Sequence, residues 1–250
     1  MASKSNHGSE SPAYEMALKR DRRLRKMREQ AQGEGETTKL CTPKSPCRLL
    51  SCNRCRVRHQ ENFIEELLPI AQRKQEEAEE EAAGDAMQAI TIIPSSGRFP
   101  RGQLSEANPV KITKKVGDDI RKHAPGAKLL LWMDVSLNCG RKVKEHWQIH
   151  HHGVVFGLSD EQKKALAKAL RSDQESRKYP LLVEEIYDLK GWLEYMSKPT
   201  FVNRETAQLR YSKITQKTRL SLSEENELAE WLSRYRVTQR EARIGKEYWR

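Results

Sequence analysis

Runs of apolar residues predict four strands in the middle of the chain. They cover residues 89–93, 128–137, 147–156 and 180–188, and turn-forming residues follow the first three. The second run is apolar at almost every position, which is typical of a central strand covered on both faces. Because only a short polar turn at residues 138–141 follows it, we expect the second and third strands to form an antiparallel hairpin.

Apolar residues spaced three and four positions apart predict five helices around these strands. Their segments are residues 62–83, 109–122, 159–170, 189–198 and 224–235. We expect Pro69 to kink or interrupt the first helix, Pro199 to end the fourth, and Ser223 to cap the fifth. Strands and helices in this mixture predict an α+β fold.

The same pattern divides the chain into five segments. Residues 1–37 are predicted to be a disordered arm, whose seven basic side chains at residues 19–28 contact phosphates or belong to a solvated helix without a partner. Residues 38–60 hold four of the five cysteines. The remaining segments are a helix with an acidic linker at 61–85, the main domain at 86–200, and a basic helical tail at 201–250.

The charge balance narrows the possible partners. The 250 residues carry a net charge of +11, with 36% hydrophobic and 32% charged residues. A basic balance of this size favours nucleic acid as a partner, ahead of an anionic membrane, and the alternative is a lysine-rich surface without such a partner. No run approaches the roughly 20 apolar residues of a membrane span, and no signal-peptide core follows Met1. We therefore expect a cytoplasmic protein with reduced cysteines.

Four cysteines follow the basic arm with the spacing C-x5-C-x4-C-x2-C. They are Cys41, Cys47, Cys52 and Cys55. Four thiols within fifteen residues suit a tetrahedral zinc site, although the first half is looser than a standard zinc ribbon. The alternative is unpaired surface thiols. The arginines among and after the cysteines predict a basic knuckle able to contact DNA; they are Arg48, Arg54, Arg56 and Arg58.

Three consecutive histidines lie on the third predicted strand. Because side chains alternate along a strand, His150 and His152 project to one face and His151 to the other. Two imidazoles on one rigid face can bind a divalent metal, and the alternative is a pair of satisfied buried histidines. Asp134 and Glu145 are the candidates for a third ligand. We favour Asp134, because the hairpin can place it across from the histidines.

A tyrosine and a lysine follow on the fourth helix in the order Y-x-x-K. Tyr195 borders the apolar stripe of this helix, and Lys198 lies three residues further on the same side. Tyr187 begins a second Y-x-x-K and is the second choice, because we expect it to belong to the preceding strand. An isolated Y-x-x-K is ordinarily a surface feature. Together with a metal site and basic charge, it supplies the attacking oxygen, Lewis acid and cation that phosphodiester cleavage requires.

The order of these motifs resembles the HUH endonuclease superfamily, and within it the rolling-circle replication initiators of plasmids and phages. The resemblance covers residues 41–200. It implies a central antiparallel sheet of about five strands with flanking helices, Mg²⁺ or Mn²⁺ bound by His150 and His152, Tyr195 as the nucleophile, and Lys198 orienting the phosphate. Such enzymes nick one DNA strand at an origin and remain linked to the 5′ phosphate. The middle residue of the motif is usually a bulky hydrophobic and is His151 here.

Two other functions remain open from the sequence. One is a non-catalytic zinc-containing DNA-binding protein, and the other is a transposase or conjugative relaxase that shares the chemistry on another DNA substrate. The chain has no G-x-x-x-x-G-K-[ST] phosphate loop. An initiator with this sequence would therefore use a host helicase as well as a host polymerase. The sequence does not specify an origin or an oligomeric state.

Overall fold

The computed structural model describes residues 41–42, 44–80, 86–140, 143–171, 180–199, 201–208, 213–218 and 220–250. The arm predicted for residues 1–37 lies outside the described residues, and so do residues 81–85 of the acidic linker. No helix in the described ranges has the length and apolar character needed to span a membrane.

One eight-stranded sheet runs through the described part of the chain. Its strands are β1 (Gln88–Ile92), β2 (Arg98–Pro100), β3 (Lys128–Gly140), β4 (Val143–Phe156), β5 (Leu181–Glu185), β6 (Val202–Gln208), β7 (Lys213–Thr218) and β8 (Glu241–Ile244). The lateral order is β5-β1-β4-β3-β6-β7, and β2 also pairs with β4 and β8 with β3. Among the strand pairs of the described residues, only β3–β6 is parallel. The α+β class is confirmed, but the sheet is larger than five strands and not wholly antiparallel.

The predicted hairpin of β3 and β4 is the centre of the sheet. These strands are 13 and 14 residues long, so each has room for two partners on its outer edge. The C-terminal half of β4 pairs with β1 and its N-terminal half with β2. On the other side, the start of β3 pairs with β8 and its end with β6. The hairpin is therefore bordered by strands along most of its length, as its apolar sequence predicted.

Five helices accompany the sheet in the described residues. They are α1 (Asn53–Glu80), α2 (Pro109–His123), α3 (Asp160–Ala169), α4 (Leu189–Met196) and α5 (Leu222–Ser233). The helices α2 and α3 cover one face over the buried side chains of Ile90, Leu129 and Val155. The helices α1 and α4 cover the other face over Leu130 and Trp132. Both faces of the hairpin are thus inside the protein.

Two helices begin earlier than the sequence pattern indicated. Helix α1 starts at Asn53, inside the cysteine segment, and continues through Pro69 without a break. Its first turns bury Val57 next to mostly polar neighbours, so the apolar periodicity becomes visible only at Phe63. Helix α5 has Ser221 as its N-cap instead of Ser223, and the Ser221 backbone N–H donates to Glu224 Oε2 at 2.6 Å.

Residues 201–250 differ most from their predicted organisation as a helical tail. They contribute β6, β7 and β8 to the central sheet, and only α5 matches the expected helix. The C-terminal residues also return to the main core, where Trp249 is 1% exposed. Short strands with mixed polar and charged residues carry a weak sequence signal, and β6 and β8 pair with β3, which lies more than 60 residues away in the chain.

Candidate functional site

The register of the central strands brings three polar side chains to one face of the sheet. Asp134 on β3 lies directly opposite His150 on β4, and Thr91 on β1 lies opposite His152. Directly opposed residues in an antiparallel pair share a face, and so do positions two apart on one strand. Asp134, His150 and His152 therefore converge, and each of the three residues is buried.

The three side chains are spaced like the ligands of one metal ion. Nε2 of His150 lies 3.2 Å from Oδ2 of Asp134, and Nε2 of His152 lies 3.9 Å from the same oxygen. One ligand atom from each residue lies within 4.8 Å of the others. Neighbouring ligands of an octahedral ion with bonds of about 2.1 Å are roughly 3 Å apart, so these separations fit a shared cation after small adjustment.

Hydrogen bonds on the far side of each imidazole orient the two rings. Nδ1 of His152 lies 2.9 Å from the hydroxyl of Thr91, and Nδ1 of His150 lies 3.2 Å from the carbonyl oxygen of Gln148. Metal-binding histidines are characteristically held in this way, with the second nitrogen facing the ion. Among the described residues, Oδ1 of Asp134 is buried without a hydrogen-bond partner. A bound cation would satisfy such a buried atom.

His151 points to the opposite face, as its position between the two candidate ligands predicted. Its Nε2 lies 2.8 Å from the hydroxyl of Thr113 on α2. Burial, reinforced by the charge of His150, lowers the pKa of His151 to about 3. A neutral, hydrogen-bonded imidazole in this position is a core residue, so the middle histidine does not compete with the pair on the other face.

Helix α4 holds the candidate nucleophile over the same pair of histidines. The indole N–H of Trp192 donates to the carbonyl oxygen of Gly153 at 2.8 Å, which fixes the helix to β4. A Cβ at Gly153 would lie 2.2 Å from the carbonyl oxygen of Leu130, so only glycine allows this approach of β3 and β4. The ring centroid of Tyr195 lies 5.2 Å from that of His152.

Lys198 connects the candidate nucleophile with the candidate metal ligands. It lies two residues beyond the end of α4, and its ammonium group contacts Oδ2 of Asp134 and sits 4.9 Å from the centre of the Tyr195 ring. Complete burial by itself would raise the pKa of Asp134, but the charges of Lys198 and the two imidazoles hold that pKa well below its usual range. Asp134 is therefore an ionised carboxylate, which is the form that binds a cation.

The two residues that were second choices lie elsewhere. Glu145 is exposed and forms an ion pair with Arg101 at 2.8 Å, so the structure does not bring it to the histidines. Tyr187 lies between β5 and α4, after the strand to which it was assigned has ended at Glu185, and its side chain is 93% exposed. It lines a shallow cleft that Tyr195 also borders. The roles of all these residues in metal binding and catalysis stay predictions.

The four cysteines of the N-terminal segment also converge. Their sulfur atoms lie within 4.8 Å of one another, with Sγ of Cys55 3.4 Å from that of Cys41 and 3.6 Å from that of Cys47. The backbone N–H of Arg48 donates to Sγ of Cys55 at 3.2 Å. Hydrogen bonding from Cys55 lowers the pKa of Cys52 to about 5, so at least one thiolate is available to a cation. The geometry fits a four-cysteine metal site, and the identity of the ion is a proposal.

The cysteine segment is not a freely exposed module. The backbone N–H of Leu50 donates to the carbonyl oxygen of Tyr235 at 2.8 Å, and the N–H of Val237 donates to that of Arg48 at 3.1 Å. Of the four arginines predicted to form a basic surface, only Arg48 is exposed, and Arg56 is buried. The segment is therefore docked on the C-terminal residues, which explains why its apolar side chains belong to the main core.

We expect a zinc ion at the cysteine cluster, and its removal should destabilise the protein. A cation at 1,000 times its Kd contributes about 4 kcal/mol, which corresponds to a Tm shift of about 8–16 °C in a domain of this size. Cys55→Ser should lose about one equivalent of zinc in metal analysis and lower Tm by this amount, whereas Cys139→Ser should do neither, because Cys139 is outside the cluster. A zinc content unchanged by Cys55→Ser would contradict the assignment.

Acidification is expected to weaken the packing beside the site through His59. This imidazole stacks on Trp132 with ring centroids 5.0 Å apart, and burial together with the charge of Arg240 lowers its pKa to about 4. Because the unfolded pKa is about 6.5, this contribution to stability is present above pH 6.5 and is lost as pH falls through 4.

Denaturant titrations at stepped pH would measure this contribution as a change in the free energy of unfolding. We expect a loss on the order of 2 kcal/mol between pH 6.5 and 4, after discounting for the partial exposure of the ring. His59→Gln should flatten the profile in that window. If the free energy of unfolding of the variant falls equally steeply between pH 6.5 and 4, the loss belongs to other groups.

Several residues of the site could not be named from the sequence. Thr91 alternates with two buried isoleucines in β1, which signals that its hydroxyl faces the other side of the strand. Its pairing with His152 depends on the register of β1 against β4, however, and a single sequence does not reveal that register. Arg56 was predicted to lie on a basic surface of the cysteine knuckle, and Arg240 belongs to no recognisable motif, but both side chains are buried behind the site.

The fold and the site define an α+β protein with two clusters of side chains that could each hold a metal ion. A scan against models of protein families, a search of curated proteins and a search of solved structures gave no match to the chain.

Proposed function

We propose that this chain is a metal-dependent endonuclease that nicks single-stranded DNA through Tyr195 and initiates rolling-circle replication. The observation that carries the proposal is the grouping on one face of the sheet. Two histidines and Asp134 form a metal-ligand set, the Tyr195 ring lies 5.2 Å from that of His152, and Lys198 contacts Asp134. An attacking oxygen, a Lewis acid and a cation are what this cleavage requires.

In the proposed reaction, each group of the chain has one task. The phenol oxygen of Tyr195 loses its proton and forms a bond to phosphorus, while the bond from phosphorus to the 3′ oxygen breaks and that oxygen gains a proton. Lys198 stabilises negative charge on the phosphate oxygens. A divalent cation on Asp134, His150 and His152 would act as a Lewis acid on the phosphate. The product is a protein linked to a 5′ phosphate and a free 3′ hydroxyl, which primes a polymerase.

The ligand set also guides the choice of metal for an experiment. Two imidazoles and one carboxylate suit Mn²⁺ better than Mg²⁺, which prefers oxygen ligands. Because the recognised sequence is unknown, the substrate is a pool of single-stranded oligonucleotides with a randomised centre, incubated with the full chain in Mn²⁺ or in EDTA. Pool members labelled at the 3′ end should become covalently attached to the protein in Mn²⁺ only. Members labelled at the 5′ end should be shortened and extendable by a polymerase.

Peptide mapping of the adduct decides the role of the tyrosine. We expect the modified peptide to contain Tyr195, with the DNA attached through a 5′ phosphate. Attachment to another residue would remove Tyr195 from the proposed role. DNA binding without any cleavage or adduct in Mn²⁺ would contradict the nuclease.

A zinc-containing DNA-binding protein without nuclease activity is the second candidate, and the cysteine cluster favours it. This function predicts binding that weakens steeply with salt, because released counterions drive the association. Because Arg56 is buried, Arg48 is the exposed arginine of the cysteine segment. This argues against a large basic DNA-binding surface there. A transposase or relaxase would share the chemistry of the first proposal and differ only in its DNA substrate.

A further inference from the structure

A buried arginine lies behind Lys198 and Asp134, which form an ion pair in the candidate site. Arg240 is 1% exposed and ends the short 3-10 helix Val237–Arg240. Its Nε donates to the carbonyl oxygen of Met133 at 3.0 Å, and its Nη2 donates to that of Lys198 at 3.1 Å. Met133 directly precedes Asp134. One guanidinium group therefore holds the backbone on both sides of the Lys198–Asp134 contact.

A second buried arginine holds the backbone of Pro199, the residue directly after Lys198. Arg56 on α1 is 5% exposed and donates to the carbonyl oxygens of Pro199 at 2.6 Å and Leu50 at 2.5 Å. The ring of Phe201 lies beside both arginines, with each guanidinium carbon 5.1 Å from its centroid. The chain that leaves α4 with Lys198 is thus fixed by two arginines from distant parts of the sequence.

Burial of the charged Arg240 side chain costs free energy that a purely structural role would not require. No carboxylate of the described residues forms an ion pair with Arg240, and its Nη1 is buried without a hydrogen-bond partner in that part of the chain. Burial lowers the pKa of Arg240 to about 10. A buried charge without an ionic partner costs free energy, so stability alone does not explain this arginine.

We propose that Arg240 and Arg56 are positioning residues. Arg240 fixes the backbone beside Asp134 and at Lys198, Arg56 fixes the backbone directly after Lys198, and the site loses metal affinity and reaction rate without them. The predicted loss of reaction rate rests on the proposed nuclease function. The planar guanidinium can donate to two carbonyls while stacking on Trp132 and Phe201. A lysine at position 240 keeps the charge but lacks the planar fork of donors, so it cannot hold the carbonyl oxygens of Met133 and Lys198 in this arrangement.

The test compares Arg240→Lys and Arg56→Lys with the matched control Arg243→Lys. Arg243 is a partly buried arginine of β8 whose side chain, within the described residues, contacts Glu241, Glu66 and the carbonyl oxygen of Trp249. Each full-length variant is measured for Tm and for Mn²⁺ affinity by electron paramagnetic resonance. Adduct formation is measured in single turnovers with a saturating amount of an oligonucleotide that the wild-type chain cleaves in the randomised pool.

We expect Arg240→Lys to lower Mn²⁺ affinity and the single-turnover rate by about 10- to 100-fold, with oligonucleotide Kd changed less than about 2-fold. Arg56→Lys should show the same effects to a smaller degree, and Arg243→Lys should stay within about 2-fold of the wild-type chain in rate and affinity. The inference would be overturned if Arg240→Lys had the same reaction rate and Mn²⁺ affinity as Arg243→Lys. It would also be overturned if, in all three variants, the losses of rate and affinity were in the same proportion to the fall in Tm.

The Mn²⁺ measurement separates this inference from the proposed function. A wild-type chain that binds Mn²⁺ but forms no adduct would refute the nuclease, while weaker Mn²⁺ binding in Arg240→Lys would still support the positioning role. Adduct formation by the wild type with unchanged rate and affinity in Arg240→Lys would leave the nuclease intact and refute the positioning role. If Arg240→Lys does not fold, Arg56→Lys decides by the same two measurements.

Discussion

Tyr195→Phe is expected to abolish the covalent protein–DNA adduct while leaving DNA binding intact. The substitution removes only the attacking oxygen and keeps the ring that lies 5.2 Å from His152 and 4.9 Å from the ammonium of Lys198. Loss of the nucleophile from a site of this kind lowers the rate by roughly 10⁴-fold or more. Adduct formation is measured with 3′-labelled single-stranded DNA in Mn²⁺, and binding is measured in EDTA at fixed salt.

Tyr187→Phe is the matched control for this substitution. It removes the same hydroxyl from a tyrosine that also begins a Y-x-x-K motif, but whose side chain is 93% exposed. We expect the adduct yield of this variant to stay within about 2-fold of the wild type, since its ring lies outside the histidine and lysine group. An adduct that persists in Tyr195→Phe and disappears in Tyr187→Phe would exchange the two assignments.

Asp134→Asn is expected to cause a large loss of divalent-metal binding. The substitution keeps the shape of the side chain but removes the charge that both imidazoles and Lys198 contact. We expect Mn²⁺ affinity to fall by about 100-fold or more, because even outer-shell changes cost 10- to 100-fold. His150→Gln and His152→Gln should have comparable effects. Electron paramagnetic resonance titrations give the affinities, and Tm measured in EDTA shows whether each variant is folded.

Glu145→Gln provides the control for the metal site. Glu145 was the other sequence candidate for the third ligand, and it forms an exposed ion pair with Arg101 instead. Exposed pairs contribute little to stability, so the variant should keep its Tm and its Mn²⁺ affinity. Full affinity in Asp134→Asn, or loss of affinity in Glu145→Gln, would contradict the proposed ligand set.

The sequence by itself determined the central hairpin, four of the five helix positions to within a few residues, and the faces of the three histidines. These features follow from local rules. Side chains alternate along a strand, so His150 and His152 had to face away from His151. Helices repeat their apolar positions every three or four residues, so Leu193 and Met196 could be identified as buried before their partners were known.

Only the tertiary structure decided what the local pattern does not encode. The register of β3 against β4 selects Asp134 and leaves Glu145 on the surface, and the register of β1 supplies Thr91 to His152. Residues 201–250 join the sheet through pairings whose partners are far away in the chain. Strand pairing and burial depend on contacts between distant residues, and a single sequence records the residue types at both ends without recording that they meet. The convergence of two buried arginines on the backbone at Lys198 and Pro199 has the same origin.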